Sequence, residues 1–156
     1  MQGLEWIAAT PIAAALKAWG TLYLFVNAAH ILSIGLIVGA ILPLDLRLLG
    51  LFRSHPLSVL GPYLSASAAI GVALAIATGI CLFSVRPMEY AANPAFLTKL
   101  VLLACGVLNA LSVHGTTRWM TAVNLGKVSP LLRLQAFLSL TLWVATLVAG
   151  RWIAFV

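Results

Sequence analysis

The sequence predicts an all-α fold, an integral membrane four-helix up-down bundle preceded by a short N-terminal helix lying in the membrane interface. Of the 156 residues, 63% are hydrophobic and only 8% are charged, whereas soluble chains carry about 25% charged residues. Four apolar runs reach spanning length, which requires about 20 residues. Short connections separate the runs, and such connections join antiparallel neighbouring helices.

The chain length suits one compact unit, so residues 1–156 are expected to form a single membrane domain. The net charge of +6 arises from nine Lys and Arg against three acidic residues. The basic residues stand at the ends of apolar runs, where they anchor helices to phosphate headgroups. This placement indicates a lipid bilayer as the partner and argues against nucleic acid.

Residues 1–19 form the predicted interfacial helix, with Trp6 and Trp19 at headgroup level. The segment has no basic region typical of a signal peptide. It carries Glu5 instead, and Pro11 interrupts it.

The four spans are bounded by prolines, charged residues and polar segments. They are predicted at residues 20–43, 58–85, 96–117 and 131–154. Pro43 is expected to end the first span, after which Asp45 and Arg47 would pair with charged neighbours or headgroups. Segments 86–94 and 118–130 are expected to be polar connections.

The distribution of basic residues predicts an orientation. Arg47, Arg53, Arg118, Lys127 and Arg133 lie on the side of the first and third connections, and Lys17, Arg86, Lys99 and Arg151 lie on the other side. Lys99 is expected to extend its amine outward from just inside its helix. The positive-inside rule therefore predicts that both termini face away from the cytoplasm.

Small residues indicate close helix packing, because they let backbones approach in lipid. Gly35 and Gly39 form a GxxxG pattern on the first span. Ser67, Gly71, Ala75 and Gly79 recur every four residues on the second span.

Polar side chains inside the spans are the candidates for function. At 100° per residue, Tyr23, Asn27 and His30 share one stripe of the first helix. Lys99 and His114 share a broad face of the third helix. Ionisable groups within a membrane are costly, so a function is the working hypothesis for them.

The first and third helices of a four-helix bundle are diagonal, about 11–14 Å apart when neighbours are about 8–10 Å apart. A macrocycle fits such a gap, and neutral imidazole is a common axial ligand of haem iron. The sequence thus predicts haem b with His30 and His114 as iron ligands. Asn27 and Tyr23 would line the pocket or fix the His30 tautomer, and Lys99 would pair with a haem propionate.

Depth along the helices gives two answers for the histidine pair. Counted from Lys17 and Lys99, His30 and His114 lie at matching depths of about 20 and 22 Å. Counted from the opposite ends, His114 is about 6 Å from Arg118, whereas His30 is about 20 Å from Pro43. The sequence leaves the pairing open.

The predicted function is binding of haem b for electron transfer within the membrane, beside a quinone or a larger oxidoreductase subunit. One alternative is metal or small-solute transport, which would require a homo-oligomer or a hydrated cavity. A second alternative is a non-catalytic accessory subunit whose polar residues hold helices together. The chain contains no Gly-rich phosphate loop, HExxH or paired-cysteine motif, so no catalytic residue is assigned.

A histidine before "IGLIVGAILPLDLRLLGL", followed by "AANPAFLTKLVLLACGVLNALSVH", resembles a bacterial family of small four-helix membrane proteins whose function is unknown. The likeness covers nearly the whole chain and implies the same fold, in the inner membrane of a bacterium with both termini in the periplasm, but no activity. More distantly, His30, Lys99 and His114 form a pattern similar to membrane-bound protoporphyrinogen oxidase and to copper-resistance D-like proteins. The first of these resemblances implies contact with haem or porphyrin.

Overall fold

The computed structural model describes residues 2–155, which form helices and no strand. The α-helices are α1 (Gln2–Ala8), α2 (Pro11–Ala18), α3 (Gly20–Leu49), α4 (Leu57–Val85), α5 (Pro87–Ala92), α6 (Pro94–Val113), α7 (Thr117–Leu125) and α8 (Pro130–Trp152), followed by a 3₁₀ turn, Ile153–Phe155. Helices α3, α4, α6 and α8 are long and apolar enough to cross a membrane. The predicted all-α four-helix membrane fold is confirmed.

The first span is longer than predicted, because α3 continues through Pro43 to Leu49. Proline removes one backbone hydrogen bond, but a long helix in an apolar environment keeps its remaining bonds rather than expose them. The helix ends at Gly50, whose φ of 109° lies in the left-handed region. This conformation favours glycine at the end of the helix.

The third span is shorter than predicted and ends at Val113, with His114 as its C-cap. Asn93 begins this helix by accepting a hydrogen bond from the Phe96 amide at 3.1 Å. After His114 the chain turns, and the Thr116 hydroxyl caps the start of α7.

Short helices occur in three segments for which the sequence predicted either a single helix or a polar connection without helix. The N-terminal segment forms two helices rather than one, because Thr10 caps a second helix whose first residue is Pro11. Trp6 and Trp19 are both exposed, as expected for interfacial residues. The expected polar connections contain α5 and α7.

The four long helices pack in the order α4–α3–α8–α6. Helix α3 packs against α4 and α8, and α8 packs against α6. Helices α4 and α6, which would be neighbours in a closed bundle, make no comparable contact along the described chain. We call the space between them the α4–α6 gap.

The tightest packing lies at one end of the bundle. At the end near α7, called the α7 end, Leu48, Leu57, Trp119 and Leu132 belong to one buried cluster. A smaller cluster around Ile37, Ile41 and Trp143 lies further along. The opposite end, where α3 and α6 begin, is called the α5 end and is more loosely filled.

The small residues of the second span pack closely against another helix at Gly71, whereas in the described chain the GxxxG pattern of the first span does not. A Cβ on Gly71 would lie 3.1 Å from the Ile37 backbone nitrogen and 3.2 Å from the Ser33 carbonyl oxygen, so α3 and α4 approach closely there. The expectation for Gly35 and Gly39 is wrong within this chain. Both are exposed, and no atom of the described chain would lie within 4 Å of an added Cβ.

Asp45 does not pair with a charged neighbour or a headgroup. It is 5% exposed, and its Oδ2 atom has no hydrogen-bond partner among the described residues. Its polar neighbour is Ser139 of α8. Arg47 instead donates from Nε to the His55 carbonyl at 2.8 Å, which ties it to the connection before α4.

Candidate functional site

A large cavity lies at the α5 end of the bundle, between the four long helices. It has two contiguous compartments: a polar compartment of about 770 Å³ and an apolar compartment of about 810 Å³. Both volumes are in the range of cofactor sites, about 300–1,000 Å³. The residues common to both compartments are Asn27, His30, Gly79, Phe83, Phe96, Lys99, Gly150 and Arg151.

His30 is held from one side by α4. Its Nδ1 lies 2.8 Å from the Thr78 hydroxyl oxygen, and that hydroxyl lies 2.7 Å from the Leu74 carbonyl oxygen. A hydroxyl has one proton to donate, and the Leu74 carbonyl can only accept. The Thr78 hydroxyl must therefore donate to Leu74, which leaves His30 to supply the proton in its own contact with Thr78. The Nδ1–H of His30 therefore donates to Thr78, and Nε2 carries the lone pair that can bind a metal.

Gly79 gives the His30 ring its space. A Cβ at Gly79 would lie 3.3 Å from Cε1 and 3.8 Å from Nδ1 of that ring. Such a distance is shorter than ordinary van der Waals contact, so a larger residue would displace the imidazole. The small residue predicted to serve helix packing thus accommodates the His30 imidazole.

Lys99 brings a cation into the same cavity from α6. Its stem packs on Gly150 of α8, where an added Cβ would lie 3.4 Å from Cδ and 3.7 Å from Nζ. The residue is half-buried, and the structure gives its amine no ion pair or hydrogen bond within residues 2–155. An ammonium group kept from water without a protein partner favours an anionic ligand.

Two arginines border the cavity at the α5 end. Arg86 forms an ion pair with Glu89 at 3.3 Å, and both side chains are largely exposed. Arg151 lies over the Phe155 ring, 5.5 Å from its centroid. With Lys99, three cations and one carboxylate line the polar compartment, which therefore attracts anions.

Tyr23 and Asn27 line the polar compartment on the α3 side, as the stripe on the first helix predicts. The Tyr23 phenol lies beside that of Tyr90 on α5. Burial raises the pKa of the Tyr90 hydroxyl above its usual value, and the neighbouring Tyr23 adds to the effect. Tyr90 is therefore a neutral hydrogen-bonding group at physiological pH.

His114 lies away from this cavity, since it lines neither compartment. It is exposed at the end of α6, and both of its ring nitrogens have partners. Nδ1 lies 2.7 Å from the Ala110 carbonyl oxygen, and Nε2 lies 2.9 Å from the Ser65 hydroxyl. The structure thus brings together His30, Asn27, Tyr23 and Lys99 without His114, and the predicted histidine pair has no support from this geometry.

Comparison with protein families gives one result that covers almost the entire chain. The model of a family of unknown function, DUF6644, matches residues 3–156. The chain belongs to the DUF6644 family. No curated protein and no solved structure gives a significant match, so the distant resemblances to protoporphyrinogen oxidase and copper-resistance D-like proteins gain no support.

Sequence reasoning missed two polar groups at the site of this DUF6644 protein. Thr78 is one of many hydroxyl residues in apolar runs, and its register opposite His30 depends on how α3 and α4 pack. Arg151 was assigned to the interface alone. Arg151 follows Gly150, a small residue within a span, and this was its one signal in the sequence. The structure shows that Gly150 lies against Lys99.

Proposed function

We propose that this DUF6644 protein binds haem b at the α5 end of the bundle and uses it for electron transfer within the membrane. The observation that carries the proposal is the His30 ring, whose Nδ1–H is engaged by Thr78 at 2.8 Å beside a large cavity. In metal-binding histidines the ring nitrogen that does not bind the metal commonly donates its N–H to a neighbouring acceptor. This hydrogen bond fixes the tautomer and the ring orientation.

The charge of the cavity supports the same ligand. Haem b has an apolar macrocycle and two propionates, and the cavity joins an aliphatic compartment to a cationic one. Lys99 has no protein partner in the described chain and would pair with one propionate. Arg151 borders both compartments and would approach the second.

His30 is the single protein ligand in this proposal. His114 is at the end of α6 and bonded to Ala110 and Ser65. Among the residues that line the two compartments, His30 is the one histidine, so it would hold the iron of the bound haem. Tyr23 and Asn27 would supply hydrogen bonds at the cavity wall.

A bare metal ion is a poorer fit. The described residues contain no group of three His, Cys, Asp or Glu side chains able to hold one, whereas protein zinc sites use at least three. A macrocycle supplies the remaining ligands itself, so one histidine is sufficient.

The test is an absorption spectrum of detergent-purified protein expressed with ample haem, in oxidised and dithionite-reduced forms. Wild type is expected to show a Soret band that His30→Ala loses and that the matched control His114→Ala retains. A colourless wild type would refute haem binding. Loss of the band in both variants would instead restore the histidine pair.

A further inference from the structure

The α4–α6 gap is bridged at both of its ends. At the α5 end, Phe83 of α4 stacks on Phe96 of α6, with centroids 5.5 Å apart and planes 9° apart, and Tyr90 packs beside both rings. At the α7 end, His114 reaches Ser65 of α4 at 2.9 Å. Between these contacts the two helices make no comparable packing within the described chain.

The middle of the gap is lined by aliphatic residues that neighbouring helices do not cover. Ile76, Ile80 and Leu100 line the apolar compartment and are 45%, 62% and 44% exposed. Because these helices are apolar enough to span a membrane, the outside at this level is hydrocarbon. The apolar compartment therefore borders lipid.

A second opening faces water at the α5 end. The polar compartment is bordered there by the exposed Arg86–Glu89 ion pair, beside the stacked Phe83 and Phe96 rings. Because charged groups line this opening, it suits the carboxylate of a ligand but not its hydrocarbon part. The space between α4 and α6 offers the hydrocarbon part an apolar route.

We propose that the ligand enters this cavity sideways from the lipid, through the α4–α6 gap, and that it is a membrane-dissolved amphiphile carrying a carboxylate. Its hydrocarbon part would occupy the apolar compartment, and its carboxylate would meet Lys99 and Arg151 at the border of the two compartments. Haem b belongs to this ligand class, and only the choice of haem as the first probe rests on the proposed function.

Charge complementarity identifies the head of the ligand. A half-buried ammonium without a protein partner attracts a carboxylate strongly where water is scarce. A purely apolar molecule would leave the Lys99 amine unpaired, and a cationic amphiphile would be repelled. The lipid-facing opening explains how the hydrocarbon part of such a molecule would reach the site without crossing water.

The experiment follows haemin transfer from donor liposomes to the protein in nanodiscs by stopped-flow Soret absorbance. Ile76→Trp and Leu100→Trp place a large ring in the gap. Their controls are Ile70→Trp and Leu97→Trp, on the same helices, which are 57% and 48% exposed and line neither compartment. Uptake and release should both slow by about tenfold in the gap variants, whereas the controls should load and release haemin like wild type.

A gate changes both rates equally and leaves the equilibrium unaltered, whereas a damaged site changes the equilibrium. Gap variants that load as fast as wild type would overturn the lateral route. Slower uptake with unchanged release would also overturn it, because that pattern means weaker binding rather than blocked entry.

The two proposals can fail separately. If wild type takes up no haemin, the haem proposal is wrong, and the lateral route is then tested with dibrominated stearate, a single-chain carboxylate that quenches tryptophan fluorescence on contact. Trp143 lines the apolar compartment. The part of the quenching that Trp143→Phe removes reports stearate in the apolar compartment. Lateral entry predicts that this part develops more slowly when Ile76→Phe and Leu100→Phe narrow the gap, and an unchanged rate would overturn it.

Discussion

At the scale of single residues, the hydroxyl of Thr78 decides what the His30 imidazole can do. Since Thr78 donates to Leu74 and accepts from His30, it selects one neutral tautomer and holds the ring against α4. The consequence is a nitrogen lone pair with a fixed position. An imidazole alone on an apolar helix would lack this orientation.

Thr78→Val should therefore weaken haem binding without removing it. Valine has the shape of threonine but cannot accept the Nδ1–H, and loss of such a supporting partner typically costs about 10–100-fold in metal-site affinity. Haemin titration of the purified protein measures the change. Thr78→Ser is the control and should bind like wild type, while equal affinity of the valine variant would show that the hydroxyl does not orient the ring.

Residue-scale prediction from sequence succeeded where the relevant geometry lies within one helix. Helical periodicity alone places Tyr23, Asn27 and His30 on one stripe, and they line one cavity. His114 was harder to place, because its distance from the cavity depends on where α6 ends. The contact between His30 and Thr78 depends on the packing of two helices, which periodicity does not specify.

At the scale of elements, glycine matters at some helix positions and not at others. Gly71→Ala should destabilise the protein, since the new Cβ would lie 2.9 Å from Ile37 Cγ1 and 3.1 Å from its backbone nitrogen. Overpacking of this kind costs about 1–3 kcal/mol. Gly35→Ala meets no atom within 4 Å and should be neutral, or stabilising by up to about 1 kcal/mol through helix propensity.

Thermal unfolding in detergent micelles compares the two alanine variants. A lower Tm for Gly71→Ala alone is the expected result. An equal decrease for Gly35→Ala would mean that the GxxxG face of α3 is packed against something, a second copy of the chain being the simplest case.

Hydropathy predicted the existence of every long helix but not all of their ends. Pro43 predicts the end of the helix, yet α3 continues to Leu49. In an apolar environment the loss of one hydrogen bond at proline costs less than exposing the unpaired backbone groups of a helix end. The six residues of α5 and the nine of α7 are too few for periodicity to identify. Their start signals, Pro87 as the first residue of α5 and the N-cap Thr116 before α7, become recognisable only when the neighbouring helix ends are known.

At the scale of the whole molecule, a ligand in the cavity would connect helices that otherwise make little contact. It would touch α4 and α6 from within, across the α4–α6 gap, and would add packing at the loosely filled α5 end. Haem binding should therefore stabilise the complete fold and not only the site.

Saturating haemin should raise the Tm of wild type. Mass action gives about 2.7 kcal/mol when free ligand is about a hundred times its Kd. Differential scanning fluorimetry in detergent measures the shift, and His30→Ala, added with the same haemin, should show none. A shift of equal size in that variant would indicate non-specific association of haemin with the protein or the micelle.

The packing order α4–α3–α8–α6 also constrains how the protein is made. Of the four spans described, α3 is synthesised first and α8 last, yet α8 supplies Ser139 beside the buried Asp45 and is the main neighbour of α6. Until α8 leaves the ribosome, the Asp45 carboxyl lacks that neighbour and α6 has little to pack against. A nascent chain that stalls before residue 130 would therefore hold three inserted helices in an unfinished bundle, a state that membrane quality-control proteases recognise.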